Sequence, residues 1–395
     1  MKNLLFLSHR IPYPPNKGDK IRSYHFLKGL AENYHIHLAA FIDDEEDWTY
    51  VDKVNAIATD SLFINLKPTE SKIKSLSGLV TNKALTIPYY YNKHLQSWVD
   101  ETIKENKIEK VLIFSSAMAQ YVQKHQDLDV VIDFVDVDSD KWLQYSEKTK
   151  CPMSWVYKRE SKKLLEFDGK VAEFAKMNLF VSEDESLLFK RLVDITPNKI
   201  DFVNNGVDTA YFNVDEQVNN PYPNKHGIIV FTGAMDYWAN VGAVVWLVNH
   251  VFPLIKQHSQ HAQFYIVGSK PSKEVLNLAN TEDVFVTGRV EDIRPYLSYA
   301  NVVVAPLQIA RGIQNKVLEA MAMGKKIVAT PQAIEGINIT NQAVSIKSNP
   351  DEFAKQVILY LEDDQDSTFI VENRRFVEEQ FSWESSLKKL THIID

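Results

Sequence analysis

Short apolar runs alternate with amphipathic stretches along the chain, and the two halves repeat the pattern. In the first half the runs are 4–8, 35–41, 61–66, 111–115, 130–135 and 178–182. They are continuous rather than alternating, as expected of parallel strands buried on both faces. Helical spacing fills 20–32, 92–106 and 155–175 between them. Residues 213–227 are rich in Asn, Pro and charge, with Pro221 and Pro223 close together, and read as a linker. The alternation then restarts with strands at 228–232, 263–267, 284–286, 302–305 and 326–329 and helices at 241–256, 272–279, 291–299 and 315–323. This predicts an α/β protein of two facing doubly wound parallel-sheet (Rossmann-like) domains, 1–204 and 205–379. The helical pattern at about 380–395 is placed as a crossover back to the first domain. Ligands of open α/β sheets bind beyond the carboxyl ends of the strands, so an inter-domain cleft is the expected site.

Composition narrows the function. The 395 residues are 45% hydrophobic and 24% charged, ordinary for a globular chain. With 44 Lys and Arg against 52 Asp and Glu the net charge is −8, which argues against nucleic acid as a partner. A single cysteine, Cys151, excludes an internal disulfide framework and a multi-cysteine zinc site, and fits a cytoplasmic location. Only 13 glycines occur, and neither a G-x-G-x-x-G nor a P-loop pattern is present. The N-terminal apolar run is too short for a signal peptide, and no stretch is expected to span a bilayer.

Candidate chemistry concentrates in three places. The first is 311–330, which follows the strand at 302–305. Gly312 lies at the strand-to-helix turn, and the helix beginning near Asn315 presents free N–H groups and a positive dipole end, a natural phosphate site. Lys316 and Glu319 share a face at i, i+3, and a carboxylate beside an anion site suits ribose hydroxyls. An ordinary amphipathic helix with an i, i+3 ion pair fits the same residues. The second place is Asp133, Asp136, Asp138 and Asp140. These side chains suit helix capping by Asp138 or Ser139, contacts to sugar hydroxyls, or, as a D-x-D, a hard metal ion. The third is the proline-stiffened loop with His9, Arg10, Lys17, Gly18, Asp19, Lys20 and Arg22, where Gly18 allows close backbone approach to a diphosphate and Asp19 is the alternative helix cap.

The segment L-E-A-M-A-M-G-K-K-I-V-A-T (318–330) resembles the donor-site helix of the family 4 retaining glycosyltransferases of GT-B fold. Asn205-Gly206-Val207-Asp208 resembles that family's hinge signature, and Phe231-Thr232-Gly233-Ala234-Met235 with Asn240 resembles its phosphate loop. Residues 8–22 and 133–142 resemble the sugar transferases of bacterial exopolysaccharide and PEP-CTERM/exosortase systems. The resemblance implies a hexosyltransferase acting with retention from a nucleotide-sugar donor, a UDP- or GDP-sugar, to a lipid-linked or growing glycan acceptor, without metal or cofactor. It assigns ribose to Glu319, donor contacts to Gly312, Ile313, Gly233, Ala234 and Asn240, and base contacts to Arg289 and Val290; Arg311 and Lys316, with the helix start, are expected to supply the phosphate charge in place of basic residues that the family has elsewhere. Gly18 and Asp19 face the sugar diphosphate, and Asp136 and Asp138 lie near the acceptor or transferred sugar. Two departures stand out: Arg311 replaces the family's first Glu, and the Arg and Lys usual after the first C-domain strand are missing. These leave open a catalytically degenerate binding subunit and, less directly, a nucleotide-sugar epimerase.

Basic, aromatic stretches complete the picture. Nine Lys and Arg face five acids in 141–176, with Trp142, Trp155 and Tyr157 interleaved, and eight Lys face five acids in 67–110. Such faces suit docking on an anionic membrane surface, at the inner face of the plasma membrane, or form ordinary solvated helix faces.

Overall fold

The computed structural model describes residues 1–395 apart from 16–17, 215–216, 224–225, 311–312, 338, 340–343 and 364–366. It divides into two compact units, Met1–Asn204 with Ser386–Asp395, and Asn205–Ser385.

Unit 1 holds a parallel sheet of β1 (Lys2–Ser8), β2 (Tyr34–Ile42), β3 (Asp60–Asn65), β4 (Lys110–Phe114), β5 (Asp129–Val135), β6 (Met177–Phe180) and β7 (Ile200–Phe202), in the order β3-β2-β1-β4-β5-β6-β7. The order reverses between β1 and β4, so the ends of these strands diverge and leave a crevice. β4 is buried along its whole length, which is why its sequence is a continuous apolar run. Three-residue β7, at the sheet edge, was too short to read from periodicity. The C-terminal segment packs here: a Cβ at Gly29 would fall 2.3 Å from Leu387 Cδ1, and Lys389 bonds Asp201 at 3.0 Å.

Unit 2 repeats the plan with β8 (Ile228–Thr232), β9 (Gln263–Val267), β10 (Val284–Gly288), β11 (Val302–Ala305), β12 (Ile327–Ala329) and β13 (Val344–Ile346), in the order β10-β9-β8-β11-β12-β13, again all parallel. This unit extends to Ser385, past the boundary expected at 379. Val207 bridges Ser382, its N–H donates to Phe381 O at 2.7 Å, and a Cβ at Gly206 would lie 2.4 Å from Trp383 N, so the Asn205–Asp208 signature is packed against 381–383. The helical span Trp238–His258, contrary to the sequence expectation, is long and apolar enough to cross a membrane by length and composition. Half of its most apolar window is buried, with Val244, Leu247, Val251, Phe252 and Ile255 in the core of unit 2.

Candidate functional site

The crevice of unit 2 lies beyond β8. Gly233 N–H donates to Val267 O at 3.0 Å, and Gly268 comes so close that a Cβ there would sit 1.7 Å from Gly233 O. Only glycine fits at 268. Beside this backbone the helix Asn315–Ala322 begins, and its N-cap, Gln314, makes no side-chain cap bond to it. Its Lys316 reaches over the Phe231 ring, with Nζ 4.2 Å from the centroid, and donates to Asn240 Oδ1 at 2.5 Å. Asn240 is anchored in turn by Nδ2 donating to Ala234 O at 2.9 Å. A Cβ at Gly233 would fall 2.7 Å from Asn240 Nδ2 and 3.0 Å from Lys316 Nζ, so glycine keeps this cradle open.

The i, i+3 ion pair expected of Lys316 and Glu319 is not formed among the described residues; Asn240 takes the ammonium instead. Burial pushes Lys316 down to about 7 against the pull of Glu319, and burial pushes Glu319 up to about 7 against that of Lys316. An arriving phosphate would restore the ammonium. Asn315 Oδ1, at the first helical position, is a buried acceptor without a partner among the described residues. Ala234 is exposed beside the cradle and Ile313 is buried in the core. Arg289 is exposed and Val290 packs on the core just past β10. Arg311 and Gly312 lie outside the described residues.

In unit 1 the crevice is a cavity of about 700 Å³. His9 follows β1, Ser115 follows β4, and Val135 and Asp136 end β5, so three strand ends floor it. Helix Asp138–Lys148 and helix Met153–Phe174 wall it with Lys141, Trp142 and Tyr157. Lys141 Nζ lies 2.7 Å from Asp136 and 3.0 Å from Asp138. Burial works to lower this ammonium, but the carboxylates of Asp138 and Asp136 outweigh it and raise its pKa. The capping reading of the acidic cluster is therefore corrected: the N-cap is Val137, with no side-chain cap, and Asp138 and Ser139 lie inside the first turn. The two carboxylates serve Lys141 instead. Among the described residues no group of three or more His, Cys, Asp or Glu is arranged to hold a metal.

Beneath the cavity floor, Arg22 and Asp133 form a fully buried pair at 2.7 Å. Arg22 Nη1 also donates to Val203 O at 2.7 Å. Asp133 Oδ1 accepts from Val135 N at 3.1 Å, and Asp133 O accepts from Ser115 N at 2.8 Å. Val135 has φ +68° and Ser115 φ +75°. A β-branched residue rarely adopts that backbone, and strain of this kind persists only where surrounding bonds fix it. Arg22 thus belongs under the site, not on the loop facing a ligand as its sequence position suggested. Lys20, likewise buried, pairs with Asp47. Gly18 opens the helix Gly18–Leu30 and is exposed, with nothing among the described residues within 4 Å of a would-be Cβ; the backbone of Asp19 falls within that helix. Sequence reasoning missed Glu160, which accepts from Leu85 N at 2.6 Å, Thr86 N at 2.9 Å and Thr86 Oγ1 at 2.7 Å and so ties the cavity's two walls.

Residues 226–363 match the family described as Glycosyl transferases group 1. No curated protein matches the chain. Among solved structures, a glycosyltransferase from Rickettsia africae aligns over 100% of this chain and 98% of its own at 16% identity and TM-score 0.67. HepE of Anabaena, in complex with UDP, aligns over 99% of both at 15% identity and TM-score 0.66. Sucrose-phosphate synthase of Thermosynechococcus elongatus aligns over 99% and 98% at 15% identity and TM-score 0.69. The fold is GT-B. The two doubly wound sheets expected from the hydrophobic pattern are present in full.

Proposed function

We propose that the chain is a glycosyltransferase that moves a sugar from a nucleotide-sugar donor, a UDP- or GDP-sugar, to a hydroxyl acceptor. The observation that carries this reading is the cradle after β8, where Asn240 holds the Lys316 ammonium at an obligatory opening, Gly233. It lies within the stretch that matches group 1 glycosyltransferases. That HepE has been crystallised with UDP and with UDP-glucose supports a nucleotide diphosphate as the ligand of this fold. In this reading Lys316, the Gly233–Ala234 backbone and the helix start at Asn315 stabilise the leaving diphosphate, Arg311 and Gly312 completing the set with Ile313 behind them. Glu319 and Asn315 Oδ1 take ribose hydroxyls, and the backbone at Arg289 and Val290 meets the base. Gly18 and Asp19 approach the sugar diphosphate. Catalysis is positioning and charge stabilisation, with retention of configuration and with no metal or cofactor.

The acceptor is a lipid-linked or growing exopolysaccharide glycan, met at the inner face of the plasma membrane. Supporting this, the segment after β3 exposes Ile73, Leu76 and Val80 (90% exposed) among Lys67, Lys72, Lys74 and Lys83. Arg159 fastens it to the helix of exposed Trp155 by bonding Gly78 O at 2.8 Å. Apolar side chains ringed by lysines suit an anionic bilayer. Flotation with anionic liposomes at low salt is expected to carry the protein, and its failure would remove the docking. The transfer itself is tested by incubating the full chain with UDP- and GDP-sugars and membrane extract. Nucleotide release with a glycolipid product, unaffected by EDTA, is expected. Binding without turnover favours the degenerate subunit, a reading encouraged by the lack of Arg or Lys in 234–240.

A further inference from the structure

The unit 1 cavity holds more chemistry than a generic acceptor groove requires. Its rings fall in two groups. Trp142 and Tyr157 lie 5.3 Å apart, with Tyr145 5.9 Å from Trp142. Tyr89 and Tyr90 lie 4.9 Å apart, with His9 5.9 Å from Tyr90. Between them the charges are committed. Lys141 is shared by Asp136 and Asp138, and Glu160 is spent on the 85–86 backbone and Thr86. Lys72 stands exposed at the rim. Among the described residues the interior therefore carries more carboxylate than ammonium, and the inner ammonium of Lys141 is shared by two carboxylates.

A phosphate or a carboxylate entering this space would meet like charge in the interior, where among the described residues the lining cation is already committed, and Lys72 stands only at the solvent-exposed rim. A neutral sugar fits the same lining. Its C–H faces lie on aromatic rings, and its hydroxyls donate to the carboxylate lone pairs that one lysine leaves unused. We propose that the cavity is the subsite for an uncharged sugar ring of the acceptor, selected against phosphorylated and uronic sugars. This rests on the glycosyltransferase reading only in naming the sugar as acceptor; the selection for neutral sugar follows from the cavity itself.

Saturation-transfer NMR on the full chain tests it. The probes are the methyl glycosides of glucose, galactose, mannose and N-acetylglucosamine, run against glucose 6-phosphate and glucuronate, with UDP binding measured in parallel. At least one neutral glycoside is expected to bind, at least fivefold tighter than either anion. Trp142→Ala is expected to weaken it about tenfold. Asp138→Asn, which removes one carboxylate without disturbing the rings, is expected to narrow the preference over the anions severalfold. Saturating UDP-glucose is expected to leave the glycoside signal in place; displacement would make the cavity a donor-sugar site and overturn the assignment. No glycoside binding while UDP still binds, or tighter binding of the anions, would overturn the subsite and leave the glycosyltransferase reading standing. Glycoside binding without any nucleotide binding would do the reverse.

Discussion

The first strand of each sheet ends at a switch point, and the two domains use that place in opposite ways. After β8 stands Gly233, and the space that a Cβ would fill is bounded by an amide and an ammonium. After β1 stands His9, whose ring stacks on Phe114 at 6.0 Å and meets Tyr90 edge-on. One end is kept open beside an amide and an ammonium; the other is lined with stacked rings. The shared topology supplies the crevice, and the residue after the first strand, glycine in one unit and histidine in the other, differs. In the readings proposed above, anion and neutral ring are divided between the two domains.

The largest effect that would break this contrast is expected beneath the aromatic cavity. Arg22→Met leaves Asp133 buried without its guanidinium, a loss of about 3–5 kcal/mol for a broken buried pair. It is read as a lowered urea midpoint. Arg22→Met with Asp133→Leu is expected to recover much of the stability but not sugar binding, because the bond to Val135 N is gone. A single-variant loss below about 1 kcal/mol would mean that the pair does not organise the floor.

Next in size is the charged cradle. Lys316→Gln is expected to weaken UDP about 10–100-fold, the range of 1.5–3 kcal/mol for a charged hydrogen bond, while glycoside affinity stays within about twofold. The folded pKa of Lys316 is lowered to about 7, so in the empty site the ammonium is lost as pH rises through that value. UDP affinity is then expected to fall above pH 7, and binding at pH 8 to take up a proton. Calorimetry in two buffers of different ionisation enthalpy measures that uptake; equal heats would unseat the role of Lys316.

The smallest effect concerns Asp168, fully buried on the helix behind the cavity. Burial pushes its carboxyl up to about 8, opposed by the Ser116 hydrogen bond and assisted by the charges of Asp138 and Glu160. The folded state holds an extra proton from the ordinary carboxylate range up to about pH 8, so stability is lost as pH rises through that window. Asp168→Asn should match the parent near pH 4 and melt clearly higher at pH 8. Parallel melting curves across that range would show that Asp168 does not titrate with folding.

The same contrast explains what the sequence disclosed. Long buried strands such as β4 and β8 are legible because parallel sheet demands unbroken apolar runs. The cradle is legible because backbone approach requires glycine, and Gly233, Gly268 and Lys316, though far apart in sequence, each stand in a segment of recognisable pattern. The cavity is not, because its partners carry no such pattern: Glu160 reaches back to the Leu85 backbone, and Arg22 reaches forward to Asp133. No local spacing encodes those partners. Acidic residues after β5 looked like caps because Asp and Ser favour that position, yet Val137 occupies it while the aspartates bind Lys141.

Val135 carries a last consequence, for anyone selecting heat-tolerant variants. Its left-handed backbone holds strain of about 1–3 kcal/mol, more than the roughly 0.5–1 kcal/mol that a glycine's added freedom would cost. A screen scored on melting temperature alone would therefore reward glycine at this position. The winners would be sturdier proteins with a slacker hold on Asp136, and the sugar binding proposed for the cavity would weaken as they improved.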